Sequence, residues 1–232
     1  MKESKNLIVL PARGGSKGIK NKNIFNINKK PLLSYVVDQL VKLENNFVLA
    51  VTSDDKKILD SVKKNKKIEI IKINRPKNLS GDKTPLDPVI YHAFEYCEKE
   101  LQTKFSRIIT VQATSPLLNY KDIKNALKIF NVKKYDSLNT VIEDTHLRWR
   151  FKDNKYFPLF KKRVNRQSLE KDFRETGSFQ ICSREQILKK TRLGKKVCFY
   201  EILPKLRGLD IDTIHDMYIA ELVLKHKNKF KF

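Results

Sequence analysis

Two short stretches place residue types at spacings suited to phosphate chemistry. PARGGSKGIKNKN (residues 11–23) follows the apolar run Leu7–Leu10 and sets Gly14, Gly15 and Gly18 among Arg13, Lys17 and Lys22. Glycines let a backbone turn successive N–H groups toward an anion, and the cations add full charge. The spacing is neither Walker A nor G-x-G-x-x-G. Taken alone, the loop fits a phosphate cradle and an ordinary glycine-rich turn equally well. Far downstream, Asp210 and Asp212 stand two apart in LDIDT (209–213). In an extended segment such residues face the same side. Two carboxylates on one face can hold Mg²⁺, a hard cation that takes oxygen ligands and keeps several waters. The same acids equally suit a cap on a helix beginning near Thr213.

These stretches must be held by the elements around them. Residues 6–12, 46–53, 68–73, 107–112 and 137–142 are short apolar runs of the kind found in strands covered on both faces. Between them lie amphipathic patterns at 31–43, 54–65 and 120–130. A further helix is expected to start at Asp87 as N-cap with Pro88 in its first turn. The helix from Pro31 is expected to aim its N-terminus at the glycine loop. Strands alternating with helices predict an α/β fold with a doubly wound, mostly parallel sheet. Ligands of such sheets bind beyond the carboxyl ends of the strands. The pattern breaks over residues 143–175, an aromatic and basic stretch that reads as an inserted, partly extended arm. It resumes with a strand at 178–183, a helix at 184–190, a strand at 197–202 and a helix at 213–226. One domain spanning 1–232, with the arm as an excursion, is the expected organisation.

Composition narrows the function classes. The 232 residues, 40% hydrophobic, suffice for one sizeable core. No run approaches the roughly 18 apolar residues of a membrane span, and the N-terminus lacks the form of a signal peptide. Three scattered cysteines fit a reducing compartment, so a cytoplasmic protein without membrane attachment is expected. The formal net charge of +23 invites a nucleic-acid partner. Its lysines, however, are spread along solvent faces of predicted helices (Lys56, Lys57, Lys63, Lys64, Lys121, Lys124, Lys128) and do not interleave with aromatics as a stacking platform would. No nucleic-acid partner is therefore expected. The four histidines lack metal or triad spacing.

Four stretches together, PARGGSKGIKNKN, RP with SGD (75–82), QATSPL (112–117) and LDIDT, resemble the CMP-sialic acid synthetase family in order and spacing. These are cytidylyltransferases for sialic acid and related nine-carbon sugar acids, and the resemblance spans nearly the whole chain. Lys20 and Asn21, Ala113, and TPLDP (84–88) depart from the usual family pattern. The resemblance implies a nucleotide-diphospho-sugar transferase-like, Rossmann-type fold. It implies that CTP and a nonulosonic acid, N-acetylneuraminate or legionaminate, give the CMP-sugar and pyrophosphate with Mg²⁺ as cofactor. It assigns catalytic roles to Arg13, Lys22 and Asp212, and nucleotide contacts to Arg13, Ser16, Lys17, Lys22, Asn23, Arg75 and Ser80. Gln112, Arg166 and Arg174 meet the sugar acid, the two arginines from the arm of a partner subunit in a homodimer. Asp210 and Asp212 hold the metal.

Three alternatives remain at this level. A CMP-pseudaminate or CMP-Kdo type synthetase differs only in acceptor. A metal-dependent nucleotide-sugar glycosyltransferase would use Asp-Ile-Asp as a D-x-D site, although here the pair lies near the C-terminus and the chain opens with a triphosphate-like loop. A non-catalytic polyanion binder would exploit the charge alone.

Overall fold

The computed structural model describes residues 5–15, 18–43, 46–132 and 135–230. Strand β1 (Lys5–Pro11) leads through the glycine loop to a small hairpin, β2 (Asn26–Ile27) and β3 (Lys30–Pro31), and then to helix α1 (Leu32–Leu40). Next come β4 (Phe47–Ser53), α2 (Lys56–Ser61), β5 (Glu69–Asn74) and α3 (Leu86–Leu101). They are followed by β6 (Phe105–Val111), α4 (Tyr120–Val132) and β7 (Ser137–Glu143). The arm holds a hairpin, β8 (Trp149–Lys152) and β9 (Lys155–Pro158), before the long strand β10 (Phe173–Ser183). Helix α5 (Arg184–Ile187), β11 (Val197–Glu201) and α6 (Ile214–Lys225) follow.

Seven strands form one sheet in the order β11-β7-β10-β6-β1-β4-β5. Every pairing is parallel except the two made by β10. The expected doubly wound α/β sheet is therefore the observed one. The apolar runs are continuous because both faces are covered. Along β1, Ile8 and Leu10 join one cluster with Leu33, Val36 and Leu40 of α1, whereas Leu7 and Val9 join another with Ile90, Ala93 and Phe94 of α3. The two-residue period of a strand divides its side chains between the layers. Each fully buried Leu or Ile contributes about 1.5–3 kcal/mol relative to exposure. Among the described residues no helix is long and apolar enough to cross a membrane.

Some element boundaries differ from expectation. Helix α3 starts at Leu86 behind Pro85, so Asp87 and Pro88 lie inside its first turn rather than at the cap. Arg192 draws Asp87 into an ion pair at 2.5 Å, which removes it from capping duty. Helix α2 is shorter than expected: Asp55 caps it by accepting the Lys57 N–H at 2.8 Å, and the extended Val62 ends it. Residues 173–175 of the arm already belong to β10, paired with β7.

A third, smaller cluster matters most for function. It joins Ile19 of the glycine loop, Ile27 of β2, Leu32 of α1, Ile211 of the Asp-Ile-Asp segment, and Met217 and Ala220 of α6. Ile19 and Ile211 bring two distant charged stretches to one place by burying the apolar residue at the centre of each.

Candidate active site

The chain passes from β1 outward to β4 and β5, then returns to place β6 on the other side of β1. Strand order reverses at that point, where open α/β sheets bind ligands beyond the carboxyl ends. A cavity of about 360 Å³ opens there, and its lining includes Arg13, Lys22, Asn23, Arg75, Gln112 and Asp212. Six residues expected at the site from four separate stretches thus meet in one cavity.

The glycine loop is docked onto the Asp-Ile-Asp segment. Lys22 Nζ donates to the Ile211 carbonyl at 2.5 Å and lies 3.4 Å from Asp212 Oδ1. Gly18 packs so closely that a Cβ there would stand 2.7 Å from the Asp212 carbonyl oxygen. Asn23 is buried and donates its amide to the Arg13 carbonyl at 2.9 Å, which fixes the loop's far end. Arg13 itself is paired with Asp82 at 2.6 Å, and Gly14 donates its N–H to Asp54 Oδ1 at 3.0 Å. Carboxylates thus occupy donors that suit a phosphate. The Arg13–Asp82 pair is partly solvent-exposed, and such pairs are worth only about 0–1 kcal/mol.

Arg75 forms the floor. It is buried, and Nη2 donates to the Thr52 carbonyl at 2.6 Å. Burial lowers its pKa from the ordinary arginine value; nearby Asp54 opposes that shift and Arg13 reinforces it. A desolvated cation beside a second cation favours an anionic ligand at this place. At the start of α1, Leu32 is fully buried in the third cluster together with Ile19 of the glycine loop, and its N–H is taken by the Phe25 carbonyl at 2.9 Å.

The two aspartates have unequal surroundings. Ile211 between them is fully buried. The Asp212 side chain is 78% exposed at the cavity edge. Asp210 is half-buried, and its Oδ1 is shielded from solvent without a hydrogen-bond partner. Burial raises the Asp210 pKa. The bond from the Thr114 hydroxyl lowers it, Asp212 raises it, and Lys22 and Arg174 lower it. A buried carboxylate oxygen left unpaired costs about 1–3 kcal/mol, a penalty that a bound cation removes. No cluster of three or more His, Cys, Asp or Glu capable of holding a metal occurs among the described residues. Two carboxylates are hard oxygen donors and fit a hard cation such as Mg²⁺. Thr213, not either aspartate, caps α6, in a reciprocal capping box with Asp216.

Gln112 and Asp210 approach each other across Gly177 of β10. A Cβ at Gly177 would lie 2.5 Å from Asp210 Oδ2 and 3.1 Å from Gln112 Cδ. Arg174, three residues back along β10, lies 3.6 Å from Asp144 and within electrostatic reach of Asp210 of its own chain. Arg166 lines a separate cavity with Glu143, Thr145 and Lys171. Ser80 turns away and donates to the Pro76 carbonyl at 3.0 Å. Ser16 and Lys17 lie outside the described residues. Sequence reasoning missed Asp82, Thr114 and Gly177. The first two sit inside the quoted SGD and QATSPL stretches, so attention to carboxylates and hydroxyls within a motif would have found them. Only the fold reveals the close approach at Gly177.

The chain is similar to known proteins in sequence and in fold. Pseudaminic acid cytidylyltransferase of Campylobacter jejuni is 29% identical over 235 residues, covering 98% of this chain and all of the relative. CMP-N,N'-diacetyllegionaminic acid synthase of the same species is 29% identical over 236 residues, covering 96% of each chain. The solved structure of a CMP:2-keto-3-deoxy-manno-octonic acid synthetase complexed with CTP superposes with a TM-score of 0.69 at 13% identity, covering 97% of this chain and 100% of the other, and so shares its fold. Residues 7–229 match the family model described as cytidylyltransferase. With nearly its whole length inside that model, this chain belongs to the cytidylyltransferase family.

Proposed function

We propose that this nucleotidyltransferase activates a nonulosonic acid of the N-acetylneuraminate or legionaminate type. The anomeric hydroxyl of the sugar acid gives up its proton to solvent and its oxygen attacks the α-phosphorus of CTP. The bond between the α-phosphorus and the α,β-bridging oxygen breaks, and pyrophosphate leaves. One observation carries the proposal: a single cavity at the strand-order reversal gathers Arg13, Lys22, Gln112 and Asp212, with Lys22 docked on the segment that bears the carboxylates. The full-length likeness to a legionaminic acid synthase supports the acceptor class. The equally full-length likeness to a pseudaminic acid enzyme supports pseudaminate as a second reading.

Transfer of this kind depends on positioning and charge neutralisation. Arg13 and Lys22 face the triphosphate and offset its charge, Asn23 braces the loop, and Arg75 supplies a buried cation beneath it. Asp210 and Asp212 would hold Mg²⁺, which when bound would supply stabilisation of the charge developing on the phosphates. Gln112, beside Asp210, orients the sugar acid. The arm carries Trp149, Phe151, Tyr156 and Phe157, 48–71% exposed. A second copy of the chain covering them in a homodimer gives that apolar surface a partner and brings Arg166 to the acceptor carboxylate of the neighbouring site. The test is a panel: CTP, Mg²⁺ and each purified sugar acid, scored for pyrophosphate. Release with a nonulosonic acid is expected. Silence with every nonulosonic acid and with Kdo overturns the proposal.

A further inference from the structure

The segment bearing Asp210 and Asp212 is held from behind by a buried ion pair between Asp122 and Arg207. We infer that this pair is a positioning device, which sets the two carboxylates for their metal and couples them to the Gln112 loop. The inference rests on the metal-binding role of Asp210 and Asp212 proposed above.

Both partners are more than nine-tenths buried, Asp122 at 6% exposure and Arg207 at 7%. Neither lines the active-site cavity, so neither touches substrate there. Arg207 Nη1 donates to the Leu203 carbonyl at 2.7 Å, and Tyr200 Oη donates to Asp122 Oδ1 at 3.2 Å. Burying two charges costs desolvation that their attraction barely repays, and apolar replacements of similar bulk are often as stable or more so. What such a pair supplies beyond stability is direction, because a guanidinium and a carboxylate meet in restricted geometry.

The positions of the partners show what is being directed. Arg207 lies three residues before Asp210, and Asp122 stands in the first turn of α4, just after the stretch that contains Gln112 and Thr114. The two stretches are joined a second time by the Ile211 N–H, which donates to the Thr114 carbonyl at 3.0 Å. Between these joints Gly208 is wedged against the sheet: a Cβ there would lie 2.5 Å from Ile142 Cγ2 and 3.0 Å from Thr176 Cγ2. The chain from Arg207 to Ile211 is thus fixed at both ends and in the middle. Asp210 and Asp212 take their direction from those constraints.

Replacing the pair by Asp122→Leu with Arg207→Met tests this without leaving a lone buried charge. Mn²⁺ binding to the protein–CTP complex, with no sugar acid present, is followed by water proton relaxation. CTP affinity without metal and the melting temperature are measured alongside. We expect Mn²⁺ binding weakened about tenfold, within the range for residues that orient metal ligands, with metal-free CTP affinity unchanged. Asp122→Asn, which keeps shape and the bond from Tyr200 but leaves Arg207 without its carboxylate, is expected to weaken Mn²⁺ binding at least as much. Asp210→Asn is the reference. If it leaves Mn²⁺ binding intact, the metal role of Asp210 fails. If it weakens binding while both Asp122 variants bind Mn²⁺ as the parent does, the pair serves folding only and the inference is overturned.

Discussion

Lys22 shows how one side chain serves two purposes. Its ammonium reaches the Ile211 carbonyl and the Asp212 carboxylate, and its position on the cavity wall suits the phosphate contact proposed for it. A hydrogen bond to a charged group is worth about 1.5–3 kcal/mol, so Lys22→Ala is expected to lower kcat/KM for CTP roughly 10- to 100-fold. Circular dichroism should stay unchanged, because the third cluster that joins the two stretches remains. Unchanged turnover would return the loop to the status of a turn. Arg13 differs, since its partner Asp82 is exposed and little stability depends on the pair. Arg13→Ala should therefore raise the KM for CTP while the melting temperature moves by no more than a degree or two, measurable by scanning fluorimetry. Both residues were legible in the sequence because charge beside glycine is a local pattern. The Arg13–Asp82 pairing was not, because it spans the loops after two different strands.

At the scale of elements, the glycines of one loop separate into different classes. They look alike in the sequence. In the fold, a Cβ at Gly15 meets nothing within 4 Å, whereas one at Gly18 meets the Asp212 backbone at 2.7 Å. Gly15→Ala is expected to retain activity within about twofold, since added bulk there enters open space. Gly18→Ala should push the loop off the Asp-Ile-Asp segment and cost at least tenfold in turnover, because small displacements of positioned groups are expensive in phosphoryl transfer. Equal effects of the two substitutions in a pyrophosphate assay would contradict the docking of loop on segment. The helices show the same limit of local pattern. Asp87-Pro88 has the form of a cap, yet the helix starts at Leu86 because a distant arginine, Arg192, claims the aspartate.

The whole molecule sets the chemistry of groups that the site does not use. Cys97, Cys182 and Cys198 are free and buried. Burial pushes the Cys97 and Cys182 thiols up to about 12 and Cys198 to about 11. At pH 8 all three remain thiols, and the thiolate is the reactive form. Native protein should therefore react with a disulfide reagent far more slowly than denatured protein, which should titrate three thiols at once; fast labelling of the native state would contradict this packing. The arm is judged at the same scale. Trp149→Glu in the exposed hairpin should yield a monomer by light scattering if a second copy covers that face, and leave the mass unchanged if it does not.

The sequence by itself determined the α/β alternation, the parallel sheet and the character of its two charged stretches. Those properties follow from periodicity and residue type, which act over a few residues. It also carried the cytidylyltransferase resemblance, because motif order survives without coordinates. Tertiary structure alone decided which of the expected residues share a cavity. Arg13, Lys22, Asn23, Arg75, Gln112 and Asp212 meet because the strand order reverses beside β1 and because Ile19 and Ile211 bury one another's neighbourhood. Ser80 turns back to its own turn and Arg166 lies in another cavity, though their sequence contexts were no weaker. Side-chain direction depends on what packs behind the chain, and those contacts lie up to 190 residues away, beyond the reach of any local pattern.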